Sequence, residues 1–176
     1  FSARIYFGKF RNGEWRLTAP VMPTVNRPTS QQGSSNWNRL DRILFYSRSF
    51  TDVDSLSVRG IRYAHLHNGV WADHGWVPVV NEFDNDSPRP LPESSPGAGD
   101  GNAADNPFLS KIDAGARLYY EKPSGDGDLD IFYAVVDSCS PLQMQEGSEV
   151  EFTAVNTTDN EAQIWWDPTR TTAMFS

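Results

Sequence analysis

Two Asn-Gly pairs, Asn12-Gly13 and Asn68-Gly69, each lie between runs in which apolar and polar residues alternate. A two-residue type I′ hairpin turn needs positive φ at both central positions, which Asn and Gly tolerate and most residues do not. Before the first pair, "SARIYFGKF" sets Ala3, Ile5 and Phe7 on one face, and after it "EWRLT" sets Trp15 and Leu17 on one face. The same period of two runs through residues 42–47, 55–67, 70–80, 116–122, 129–136, 148–155 and 161–166. A helical stripe is suggested only in the first half of "NWNRLDRILF". The chain therefore reads as all-β, an antiparallel sandwich or barrel of roughly nine strands with long decorated loops.

At 176 residues the chain suits one β-rich domain, residues 1–176. Two stretches interrupt the alternation. Residues 23–36 are polar and read as a loop, and residues 84–107 hold five of the twelve prolines together with several glycines. The second is too long for an ordinary connection and reads as an excursion over the surface.

The net charge of −8 argues against nucleic acid and acidic lipid as partners, because both demand clustered Lys and Arg. No apolar run is long enough to enter a bilayer as a helix, so membrane insertion is not expected. The single cysteine, Cys139, excludes an internal disulfide, which suggests folding in a reducing compartment. The strand-like start at Phe1, without Met, suggests a mature product or a piece of a longer protein. "NTT" at Asn156 has the pattern of a glycosylation acceptor.

All three histidines fall within "RYAHLHNGVWADHGWV". With Asn68-Gly69 as the turn of a regular hairpin, His67 opposes Val70, His65 opposes Ala72, Tyr63 opposes His74 and Ile61 opposes Trp76. Opposed residues share a face, so Tyr63, His65, His67, His74 and Trp76 form a candidate ligand-binding surface. His65 and His67, about 7 Å apart along the strand, are a workable ligand pair. His74 lies about 13 Å along the hairpin from His67, too far for one zinc to join them. Val70 and Ala72 supply no third ligand, so no metal is expected here. Asp126, Asp128 and Asp130 alternate as calcium ligands do, but Ile131 stands where an EF-hand needs Gly. They are the weak metal candidates, and a tight acidic turn is the simpler account.

Chemical signatures are sparse. The chain has no G-x-S-x-G elbow, P-loop or dinucleotide fingerprint, and Cys139 has no histidine near it in sequence. No catalytic residue and no cofactor are expected. "IWWDP" places Trp165 and Trp166 on opposite faces of a strand, so one of them must cover an edge, fill an interface or bind a ligand. These features suggest a non-enzymatic recognition domain that binds a cell-surface glycan or protein receptor. Settings that fit are the projecting domain of a non-enveloped viral capsid, exposed on the virion, or a lectin-like module secreted without disulfides. A homodimer is a further expected partner. The alternative is a metal-dependent or carboxylate-based hydrolase that uses His65 and His67.

With one thiol, the fold owes nothing to an internal bridge. The melting temperature is expected to be the same with and without reductant; a fall of several degrees in reductant would reveal a disulfide between copies.

Overall fold

A computed structural model describes residues 4–20, 25–26, 31–51, 57–80, 105–112, 115–124, 128–161, 164–166 and 172–175. Every element among them is a strand. These are β1 (Tyr6–Arg11), β2 (Glu14–Pro20), β3 (Gln31–Asn38), β4 (Ile43–Thr51), β5 (Ser57–His67), β6 (Val70–Trp76), β7 (Asp105–Ile112), β8 (Gly115–Pro123), β9 (Leu129–Cys139), β10 (Leu142–Met144), β11 (Val150–Glu151), β12 (Trp165–Trp166) and β13 (Ala173–Met174). Both Asn-Gly turns form where the alternation places them. Asn12 and Gly13 have φ of 53° and 81°, and Asn68 and Gly69 have 50° and 79°.

The pairings are antiparallel throughout. One sheet runs β3-β4-β5-β6 and a second runs β10-β9-β8-β7, with β11 also on β9. Two-stranded ribbons, β1-β2 and β12-β13, complete the set. The two larger sheets face each other as a sandwich without closing into a barrel. Ile43, Phe45 and Ile61 of the first meet Leu118, Tyr120, Ala134 and Val136 of the second.

Their outer faces are covered as well. Leu44, Tyr46, Ala64 and Trp71 pack beneath Ile5 and Val25, with Phe7 and Trp37 against them. On the far side Tyr119 and Ile131 pack with Ile164, Phe152 and Val155. The order is thus arm, first sheet, second sheet, C-terminal segment: four layers around three cores. Burial on both faces explains why Ile43–Tyr46 and Leu118–Tyr120 are apolar or aromatic at consecutive positions rather than alternate ones.

Two asparagines act as substitute strands. Asn26 Oδ1 accepts the Ile5 N–H at 2.9 Å and its Nδ2 donates to the Ile5 carbonyl at 2.8 Å. Asn156 treats Ile131 the same way, at 3.0 and 3.1 Å. Each carboxamide presents the donor and acceptor of a peptide unit and satisfies backbone groups that a neighbouring strand would otherwise pair.

Several sequence expectations need correction. Residues 31–36, read as loop, begin strand β3, whose polar residues pair with β4 from Gln31↔Ser49 to Asn38↔Ile43. Residues 105–107, placed in the long excursion, begin β7; the rest of that excursion, 84–104, lies outside the described residues. The helical hint over residues 36–40 is a strand end and a turn. Asn38 Oδ1 accepts the N–H groups of Leu40 and Asp41, and Arg42 takes a φ of 54°. The predicted strand over 148–155 shrinks to Val150–Glu151.

Asn26→Ala removes both bonds to Ile5 and leaves a buried N–H and carbonyl unsatisfied. The expected cost is about 1–3 kcal/mol, read from the urea midpoint. Cleavage within Tyr6–Pro20 by a nonspecific protease should rise in parallel, because the arm root is loosened.

Candidate functional site

The hairpin of β5 and β6 keeps the expected register near its turn, with His67↔Val70, Leu66↔Trp71 and His65↔Ala72. Beyond it a β-bulge intervenes. Ala64 pairs with Asp73, Tyr63 with Gly75 and Arg62 with Trp76, so His74 is the extra residue. Gly75, at φ 106°, supplies a backbone conformation that L side chains rarely adopt.

The bulge sorts the predicted surface. Tyr63, His65 and His74 do come together: Tyr63 stacks on His74 at 5.5 Å, and the His65 ring meets them edge-on at 5.8 and 5.0 Å. His74 is exposed, while Tyr63 and His65 are half-buried. His65 Nε2–H donates to the Cys139 carbonyl at 2.5 Å, tying the first sheet to the second and fixing the tautomer. His67 is exposed at the hairpin end and has no ring contact with the trio among the described residues. Trp76 does not share the histidine face. The extra residue turns it to the opposite side, where the Arg62 guanidinium lies 4.6 Å from its ring centroid.

That opposite face holds a charge cluster. Asp73 is bound by Arg62 through two bonds, Nη2 to Oδ2 at 2.9 Å and Nε to Oδ1 at 3.3 Å. Gly75 N–H donates to Oδ1 at 3.1 Å, and Arg48 Nη1 stands 3.6 Å from Oδ2. The Arg48 and Asp73 side chains are only 3% and 4% exposed, so the charges are out of water. Arg48 Nη2 also donates to the Val25 carbonyl at 2.6 Å, fastening the segment beside Asn26 to the sheet. Burial by itself would raise the Asp73 carboxyl, but the Arg62 bonds and charge, the Gly75 N–H and Arg48 outweigh it and hold it below the usual carboxylate range. Burial pushes the neighbouring Tyr46 hydroxyl up to about 12 against the pull of Arg48. The sequence reading misses this cluster, because Arg48, Arg62 and Asp73 become neighbours only across three strands.

A second polar cluster lies in the other sheet. Tyr120 Oη–H and Lys122 Nζ both donate to the Glu149 carboxylate, and Lys122 stands 4.6 Å from the centre of the Phe132 ring. Burial, with the charge of Glu149 next to it, lifts the Tyr120 hydroxyl far above the ordinary phenol range. The cluster pins the 145–149 turn and contains no reactive pairing.

The remaining candidates separate. Trp165 is 43% exposed and pairs with Met174, whereas the Trp166 side chain lies outside the described residues. Asp126 also lies outside them. Asp130 is buried on β9 opposite Lys122, and the Asp128 carbonyl accepts the Ser124 N–H at 2.7 Å. Among the described residues no three His, Cys, Asp or Glu side chains gather into a group able to hold a metal. Cys139 is buried and, as the single cysteine of the sequence, has no internal disulfide.

Among the described residues, β1-β2 carries an exposed apolar surface that the sequence reading passed over. On β1-β2 the pairs Gly8↔Leu17 and Phe10↔Trp15 share a face with Tyr6. Trp15 and Leu17 are 75% and 79% exposed, and Tyr6 and Phe10 are exposed too. Trp15 lies across Gly8, where an added Cβ would meet its ring at 3.2 Å. The opposite face carries Phe7, stacked on Trp71 at 5.4 Å. A hairpin apolar on both faces, Ile5 and Phe7 on one and Phe10, Trp15 and Leu17 on the other, was the available signal.

The chain matches no family model, no curated protein and no solved structure.

Asp73→Ala leaves two guanidinium groups with no carboxylate between them and is expected to cost about 3–5 kcal/mol at neutral pH. A depressed carboxyl stabilises the fold above its unfolded pKa, about 3.9, and that contribution fades as pH falls through the lower folded value. Denaturant titrations of both proteins from pH 7 downwards should therefore show their difference shrinking only below about pH 4.

Proposed function

We propose that this chain is a non-enzymatic recognition domain that binds a protein surface through the aromatic face of the β1-β2 arm. The observation that carries this reading is the clustering of Tyr6, Phe10, Trp15 and Leu17 on one solvent-facing side of a two-stranded ribbon. Scattered apolar residues are normal on a surface, but a contiguous aromatic face on a projecting element marks a contact site. Trp and Tyr supply large rigid contact area at low entropic cost, which is why they dominate interface hot spots. The arm is anchored at its root by Ile5, Phe7 and Asn26, so its outer face is presented on a fixed base. A receptor-binding domain projecting from a non-enveloped capsid is one setting in which such an arm would serve.

A second reading, glycan contact, draws on the Tyr63–His74 stack, whose exposed imidazole offers a flat ring beside polar atoms. The hydrolase alternative gains no support. His65 commits Nε2–H to a main-chain carbonyl, and neither His65 nor His67 is bonded to a carboxylate or hydroxyl among the described residues.

The two binding readings separate by mutation. Labelled protein is expected to bind a cell surface after its glycans are enzymatically removed. Trp15→Ala with Leu17→Ala should weaken that binding by roughly thirtyfold, the loss of an interface hot spot, while His74→Ala leaves it unchanged. Binding that survives the arm changes but disappears with His74→Ala, or with deglycosylation, would overturn the arm reading in favour of the glycan.

A further inference from the structure

Asn-Gly, the dipeptide at both hairpin tips, is also the pair most prone to rearrange in water. The Gly nitrogen attacks Cγ of the Asn side chain, and a five-membered imide forms as ammonia leaves with the proton of the Gly N–H. Glycine permits the attack because it has no Cβ to crowd its nitrogen. Water then opens the imide. Addition at Cγ breaks the new N–Cγ bond and leaves an aspartyl residue. Addition at the main-chain carbonyl breaks the original peptide bond and leaves an isoaspartyl link through the side chain.

Sequence and exposure do not separate the two tips. Asn12, Gly13, Asn68 and Gly69 are all exposed, and a Cβ added to either glycine would meet nothing within 4 Å. The ladders end on the flanking pairs, Arg11↔Glu14 and His67↔Val70, and leave all four turn residues outside. Both asparagines are left-handed, at φ 53° and 50°. In a type I′ turn that conformation directs the next backbone nitrogen away from the Asn side chain, so a closed tip does not react. The turn must open first, and the free energy of opening sets the rate.

The backing of the tips differs. The Asn68-Gly69 hairpin has β5 as its first strand, which is also paired with β4. Two residues before the turn the Leu66 N–H donates to the Arg42 carbonyl at 2.8 Å, and two residues after it Trp71 is buried in the outer core. Asn12-Gly13 lacks such support. Among the described residues β1 and β2 pair only with each other, every residue from Gly8 to Leu17 is exposed, and none of them joins a core. That end is held by its own ladder and by the Phe10–Trp15 ring contact at 5.5 Å. A two-stranded hairpin left to itself is marginal in water.

We propose that Asn12 is a site of spontaneous deamidation in the folded protein, converted through opening of the arm tip, while the sheet behind Asn68 protects that residue. The isoaspartyl product adds one atom to the backbone of a two-residue turn, which Arg11 and Glu14 cannot close in register. Where the arm is the contact surface, as read above, that product separates Phe10 from Trp15 and ends binding. The chemistry itself is independent of that reading.

The test holds the full chain in mildly alkaline buffer and follows each asparagine by peptide mapping with mass spectrometry, which reads the exchange of amide for acid. Asn12 is expected to convert about tenfold or more faster than Asn68. In denaturant the two rates should converge, because the ladders that distinguish the tips are gone. Trp15→Ala removes the ring contact beside the turn. It should speed Asn12 severalfold and leave both Asn68 and the melting temperature unchanged, since Trp15 stands clear of the cores. Equal rates at the two tips of the folded protein, faster loss of Asn68, an inert Asn12, or an Asn12 rate indifferent to Trp15→Ala overturns the proposal. The readout is a mass at a named residue, so its failure is distinct from failure of the cell-binding experiment.

Discussion

The carboxylate of Asp73 is the point on which the first sheet turns. It meets the guanidiniums of both Arg48 and Arg62, receives the Gly75 N–H, and sits at the bulge where the β5-β6 register shifts. An ion pair taken out of water repays its desolvation only with near-complete hydrogen bonding, and here the Arg62 fork and the Gly75 amide supply it. Arg48, held against the same carboxylate, reaches on to the Val25 carbonyl and so joins the segment under the arm to the sheet. The bulge brings Asp73 and Trp76 to one side of the sheet while His74 stays with Tyr63 and His65 on the other. The aromatic trio and the charge cluster are thus two faces of one irregularity.

Much of this architecture is legible in the chain before folding. The Asn-Gly turns fix two hairpins and their registers to within a few residues, because only a narrow set of backbone angles closes so short a loop. What escapes the alternating pattern has identifiable causes. The β3 strand has few apolar residues because it relies on its ladder to β4 and on Trp37. The bulge is hidden because a Gly in a strand does not announce which neighbour becomes the extra residue, and every face assignment beyond it inverts; Trp76 is the casualty. Arg48 and Arg62 are unremarkable in sequence, since the carboxylate that explains them lies on a different strand. The Tyr63, His65 and His74 grouping was within reach even though Tyr63 pairs with Gly75 rather than His74, because the bulge leaves the extra residue, His74, on the Tyr63 face.

Substitution of side chain for strand is a recurring device in this fold. Asn26 closes the backbone of Ile5, Asn156 that of Ile131, and Asn160 Oδ1 accepts the Leu129 N–H at 2.7 Å. Asn36 Oδ1 does the same for Leu109, linking β3 to β7 where the two sheets approach. Short carboxamides satisfy a strand without extending the ladder, so they blunt its edge against indiscriminate pairing. The acceptor pattern at Asn156 acquires a structural meaning by this route: its amide belongs to the pairing of β9.

The seating of the arm has an optical consequence. Phe7 packs against both indoles, 5.6 Å from Trp37 and 5.4 Å from Trp71, whose own centroids are 5.0 Å apart at an interplanar angle of 70°. Two strong transition dipoles so close and so inclined couple, and their mixed excited states rotate polarised light with paired bands of opposite sign. The ultraviolet dichroism of this protein therefore contains a contribution from ring geometry superimposed on the backbone signal of its strands. Loosening the arm root perturbs that contribution while the ladders remain intact, which makes the indole pair a built-in gauge of how firmly the first layer sits on the second.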